Sequence, residues 1–146
     1  MTPRKKKAKK AIPRISREEA RVKKERLAMQ AKCREAILNG IVWLDLTFGR
    51  EEWLGRMDMS NFEFDDVNVC VAGHVFSDAY IDDNHDEDSG FEVLTEFFNR
   101  VNADGTVFRL GFDTKEGGEA YQYMQDVWAK TIISMQKSWQ RKSSNN

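Results

Sequence analysis

Polar and apolar positions divide the chain into stretches of different kind. Residues 1–14, MTPRKKKAKKAIPR, hold seven basic residues, no acid and both prolines of the sequence. Repelling like charges with almost nothing apolar to bury predict a disordered basic arm over 1–15. Ser16 then precedes REEARVKKERLAMQAKCREAIL. Ser16 and Glu19 have the spacing of a capping box, in which hydroxyl and carboxylate satisfy end amides reciprocally, and Ile15 is placed to staple onto Ala20. Val22, Leu27, Met29, Cys33, Ile37 and Leu38 are sparse at first and denser later. This predicts a helix over 16–39 whose first turns project and whose inner half packs. Asn39-Gly40 reads as a helix end or kink. Ile41, Leu44 and Phe48 recur at i, i+3, i+7 and favour helix, although Val42, Leu44 and Leu46 alternate as a strand would. Gly49 stops this segment, and REEWLGRM supplies a short helix.

Further on, Asp65 or Asp66 is placed to cap a helix through VNVCVAGHVF, with Val67, Cys70, Val71, His74 and Val75 on one face. SDAYIDDNHDEDSG, residues 77–90, carries six acids and reads as an exposed loop. FEVLTEFFNRVN predicts a helix over 90–101 with Phe91, Leu94, Phe97 or Phe98, and Val101 inward. Asp104-Gly105 makes a turn. TVFRLGFD fits either a short strand-like pass or a helix end. Asp113 or Thr114 caps a last helix in which Ala120, Tyr121, Met124, Val127, Trp128, Ile132 and Met135 keep helical period. The expectation is a mainly α, single-domain bundle of about five helices over 16–142. It leaves room for one minor strand pair near 106–112 and ends in a frayed tail at 143–146.

Composition supports one core-forming domain: of 146 residues, 40% are apolar and 11% aromatic, with four Trp and nine Phe. No apolar run approaches the roughly 18 residues of a membrane span, and no apolar stretch follows the basic start as in a signal peptide. Cys33 and Cys70 read as free, buried thiols of a reducing compartment. The net charge of −1 conceals a division. Residues 1–35 hold 14 Lys/Arg against 4 Asp/Glu, and residues 36–146 hold 9 against 20. A basic arm is thus joined to an acidic body, an asymmetry that points to polyanion contact or to association.

Candidate chemistry is sparse. Arg4, Lys5, Lys6, Lys7, Lys9, Lys10 and Arg14 cluster as phosphate contacts require, but without the aromatics that would stack bases. Asp82, Asp83, Asp86, Glu87 and Asp88 offer a surface for a partner. As an EF-hand beginning at Asp82 this loop fails, because Glu87 stands where Gly is needed and Val93 where Glu is needed. Cys70 and His74 at i, i+4 have a spacing that lets two side chains meet one metal or act as a nucleophilic pair. Cys33 and His85 would have to complete a metal shell, and the place of the pair on an apolar helix face argues for core instead. Between Trp43-Leu44 and Leu46-Thr47, Asp45 is either a buried acid with a raised pKa or a solvent-side capping group. The scattered glycines form no phosphate loop. No catalytic residue, metal or cofactor is expected.

Gly40-x-x-Trp43-Leu44-Asp45, then Trp53, Cys70-Val71-x-Gly73, Leu110-Gly111-Phe112-Asp113 and Trp128 follow one another in an order that resembles a group of small uncharacterised proteins of actinobacteria and their bacteriophages. The resemblance spans about 36–130, leaves the basic arm outside, and departs at His74 and in the long acidic loop. It implies a setting rather than an activity: a phage or mobile-element accessory protein in the bacterial cytoplasm. The function expected is non-enzymatic binding of a host or phage macromolecule. A protein partner would dock on the acidic body, the arm would contact a polyanion, and no membrane would be involved. The alternatives are a nucleic-acid-associated protein using residues 1–35 and an inhibitor whose acidic surface imitates nucleic acid.

Overall fold

The computed structural model describes residues 16–76, 89–101, 103 and 105–144. Its elements are α1 (Arg17–Phe48), α2 (Arg50–Arg56), a 3-10 turn (Met59–Asn61), α3 (Val71–Val75), α4 (Gly90–Arg100), α5 (Thr106–Arg109) and α6 (Gly118–Ser144). The chain is mainly helical, as a bundle requires, and no strand occurs among the described residues. No helix among them is long and apolar enough to cross a membrane.

Helix α1 begins where its cap predicts, with the Ser16 hydroxyl accepting from the Glu19 amide at 3.0 Å. It then runs unbroken through Gly40, so the expected end or kink at 39–40 is corrected. Cys33, Ile37, Gly40, Ile41 and Leu44 face the core. Gly40 is there for space rather than for a bend. A Cβ at this position would collide with the carbonyl oxygen of Leu110 and lie 3.1 Å from that carbonyl carbon and 3.4 Å from the Trp128 ring. Contacts advance together along α1 and α6, Arg26 meeting Glu119 and Gly40 meeting Trp128, so the two helices run side by side in the same sense.

The turn at 110–112 is held between them. Gly111 has φ 73°, and a Cβ there would approach the backbone of Ala36 and Ile37 within about 3.0 Å. Trp128, fully buried, donates its indole N–H to the Gly111 carbonyl at 2.7 Å and stacks on Phe112. The strand pair expected near 106–112 is therefore corrected to a helical turn and a tight reversal. Gly105 enters α5 with φ 81° and the Thr106 hydroxyl donates back to Ala103, so both local geometry and the Trp128 bond oppose an extended chain.

Residues 57–70 bury Phe62 and Phe64 with little regular structure, so their backbone groups need other partners. Helix α6 supplies them through two glutamines. Gln125 accepts from the Phe64 amide and donates to the Phe62 carbonyl at 3.2 Å. Gln136 donates to the carbonyls of Leu54 and Met57 at 3.1 and 3.0 Å. The helix expected from Asp65 or Asp66 shrinks to α3, because Asp66 spends its carboxylate on a turn with the Asn68 amide and Val67 stays exposed. Helix α4 starts at its Ser89 cap and turns Val93, Leu94 and Phe98 inward, leaving Phe97 and Val101 outside. Asp113 and Thr114 organise the loop before α6 instead of capping it, accepting from the Thr114 and Glu116 amides.

Candidate functional site

The aromatic stretch around Asp45 is a structural joint. Asp45 closes the break at Gly49, where φ is 89°. Its carboxylate accepts from Arg50 at 2.7 and 3.2 Å and from the buried Trp53 indole at 2.8 Å. The Arg50 bonds hold the Asp45 carboxyl below its ordinary range, opposite to the raised value of the buried-acid reading. Trp43 is half-buried and meets Phe48, Phe76, Phe98 and Phe112 at centroid distances from 5.7 to 6.4 Å. Arg56 covers the open side of this cluster, with its guanidinium 5.0 Å above Phe48 and one N–H donated to the Val75 carbonyl at 2.9 Å.

Cys70 and His74 do not form a reactive pair. Cys70 caps α3, its sulfur accepting from the Gly73 amide at 3.3 Å. The ring nitrogens of His74 lie 3.1 Å from the Cys70 and Asp58 carbonyl oxygens, so the imidazole bridges backbone rather than facing the thiol. Among the described residues no group of three His, Cys, Asp or Glu side chains converges as a metal shell would. Burial pushes the Cys70 thiol up from 9.0 to about 11, and burial likewise raises Cys33. Two results are expected. At pH 8 a thiol reagent should label Cys70 in the folded chain at least roughly 100-fold more slowly than in the unfolded chain, since thiolate is the reacting species. The stability contributed by the protonated Cys70 thiol should be full below pH 9.0 and be lost as pH climbs through about 11, because the unfolded chain ionises first. Rapid labelling of both thiols in the folded chain would contradict the buried cap.

A groove of about 400 Å³ lies between α1 and the 108–116 segment, with Cys33, Asn39, Phe108, Asp113 and Met124 among its lining. Several of its polar groups are engaged. Asp113 accepts from the Tyr121 hydroxyl at 2.9 Å, Lys32 pairs with Glu116 at 3.6 Å, and the Lys115 ammonium sits 4.6 Å above the Phe108 ring. Burial and the Asp113 carboxylate together raise the Tyr121 hydroxyl pKa. This is a self-satisfied network around a protected thiol.

The surface of α1 has a different character. Residues 17–28 are exposed on all sides. Arg21 pairs with Glu18 and Glu25, and Arg26 with Glu119 at 2.6 Å. Arg17, Lys23 and Lys24 have no acidic partner among the described residues. On the face opposite the core stripe, Leu27, Leu38, Val42 and Leu46 are 56%, 62%, 56% and 83% exposed. Leu27 and Leu38, read from the sequence as one stripe with Cys33 and Ile37, are corrected to an outward face that they share with Ala31 and Val42; the signal is the set 27, 31, 38, 42, which shares a helical face that 33, 37 and 44 do not.

Of the residues singled out in the sequence, Arg4, Lys5, Lys6, Lys7, Lys9, Lys10 and Arg14 lie outside the described residues, as do Asp82, Asp83, Asp86, Glu87, Asp88 and His85. Comparison with known protein families, curated proteins and solved structures returns no match to this chain.

Proposed function

We propose that the protein is a non-enzymatic binding protein, an accessory factor of a phage or mobile element working in bacterial cytoplasm. Its acidic body meets a protein partner, and its basic leading segment meets a polyanion. One observation carries the reading. The positive charge of residues 1–35, 14 Lys/Arg against 4 Asp/Glu, continues into α1 on turns that the rest of the body leaves exposed. A helix that presents cations on solvated turns, with a further basic run before it, extends one electrostatic surface. Nucleic acid is the polyanion that fits a surface of this length, because each neutralised phosphate releases a counterion.

The test is the affinity of the whole chain for DNA and RNA across salt, beside a chain lacking residues 1–14. Removing seven basic residues should weaken binding and flatten the salt slope by up to about 0.9 per lost phosphate contact. Equal affinities and slopes for the two chains would exclude the arm as a contact. The imitation of nucleic acid by the acidic body is favoured by the 20 Asp/Glu against 9 Lys/Arg of residues 36–146. Competition with DNA for a DNA-binding enzyme would then replace direct binding.

A further inference from the structure

We propose that the outer face of α1 docks a second copy of this chain, antiparallel, about a two-fold axis passing midway between Arg34 and Glu35. Three features lead there. First, the face is apolar and open: Leu27, Leu38 and Val42 are more than half exposed and Ala31 is exposed beside them. They lie on the side of the helix away from Cys33, Ile37 and Leu44, so a partner could reach them without disturbing the core.

Second, the stripe is complementary to itself in one orientation. Positions equidistant from the 34/35 midpoint face each other when two copies run antiparallel. Leu27 then meets Val42, and Ala31 meets Leu38, a small residue against a large one. Lys24 comes opposite Asp45, whose carboxylate Arg50 and Trp53 already hold, and Arg34, which donates to the Tyr123 hydroxyl at 2.8 Å, comes opposite Glu35. Two copies running parallel in register would instead set Lys24 on Lys24, Arg34 on Arg34 and Asp45 on Asp45. Unlike charges at matched heights select the antiparallel arrangement, since like-charge juxtaposition disfavours an alternative register or direction.

Third, among the described residues the first turns of α1 have little tertiary support. Residues 17–28 are exposed, and Arg26 with Glu119 is the ion pair that ties them to α6. Helical turns without tertiary packing are marginal in water. In the antiparallel pair, Leu27 of each copy rests on Val42 of the other, at a point where α1 is backed by its own core. The facing segment, residues 20–49, is about 45 Å long. The N-termini of the two α1 helices lie at opposite ends of the pair, so the cations of residues 17–26 form two surfaces rather than one. The dimer does not depend on polyanion binding, and either can fail alone.

The experiment measures the mass of the full chain in solution from low micromolar to submillimolar concentration, and pairs it with disulfide trapping. A dimer is expected. Leu38→Glu should weaken it at least roughly 30-fold while leaving the helical circular dichroism unchanged, because Leu38 faces solvent within its own chain. For trapping, the single variants Leu27→Cys and Val42→Cys are treated with a thiol oxidant separately and as an equimolar mixture; Cys33 and Cys70 are buried. Mixing should give a linked dimer that neither variant forms alone. A monomer across the whole range, whether the stripe is bare or covered by the chain's own first fifteen residues, overturns the proposal. So does Leu27→Cys linking to itself, which marks a parallel pair.

Discussion

Gly40→Ala is expected to destabilise the protein by roughly 2–3 kcal/mol, although alanine is the better helix former. The sign makes the result informative. In an ordinary exposed helix position the exchange should stabilise by about 1 kcal/mol, since glycine loses more backbone freedom on folding. At position 40 the added Cβ would run into the Leu110 carbonyl and press on the Trp128 ring. The obstacle is backbone, which cannot rotate out of the way. Either α1 moves off α6 or the 110–112 turn is expelled, and the second separates Trp128 from the carbonyl it bonds. Chemical denaturation monitored by tryptophan fluorescence gives the answer. A stabilised Gly40→Ala would mean that α1 and the 110–112 turn do not meet as described.

Trp128→Ala should cost more, about 3–5 kcal/mol, in the range for a large aromatic removed from a core. Trp128 is fully buried, stacks on Phe112 with ring centroids 6.1 Å apart, and donates at 2.7 Å to Gly111. Trp128→Phe separates the contributions. It keeps most of the ring and removes the donor, leaving a buried carbonyl without its partner, for about 1–3 kcal/mol. If Trp128→Phe were neutral, the turn would be held by packing alone, and the Gly111 bond would have no part in it. Equal losses in Trp128→Phe and Trp128→Ala would give the bond the whole effect.

Local chemistry accounts for what was legible in the sequence. Ser16 caps the helix it precedes, Gly49 ends α1, and the spacing of Met124, Trp128 and Ile132 marks the buried side of α6. Each of these signals is settled within a few residues of itself. What escaped depends on partners far along the chain. Gly40 resembles a helix breaker until Leu110 is placed against it, and TVFRLGFD resembles a strand until Trp128 takes the Gly111 carbonyl. Cys70 and His74 have a ligand-like spacing, yet the first caps a helix and the second joins two backbone carbonyls. Asp45 showed both readings because its partners, Arg50 and Trp53, lie beyond the bend that Gly49 makes. The outward stripe of α1 was hidden for another reason. A helix with apolar residues on opposite faces has no single apolar side, so its two stripes blur into one weak pattern.

The inner half of α1 builds the core, and the proposed role of its leading half is to carry charge to a polyanion. The most direct measurement reverses Arg17 and Lys23 to glutamate in the full-length chain and follows affinity for duplex DNA against salt. Both residues lie on exposed turns, so the fold should be unchanged. Weaker binding with a salt slope smaller by about 2 is the predicted result. An affinity and slope indistinguishable from those of the unaltered chain would contradict it.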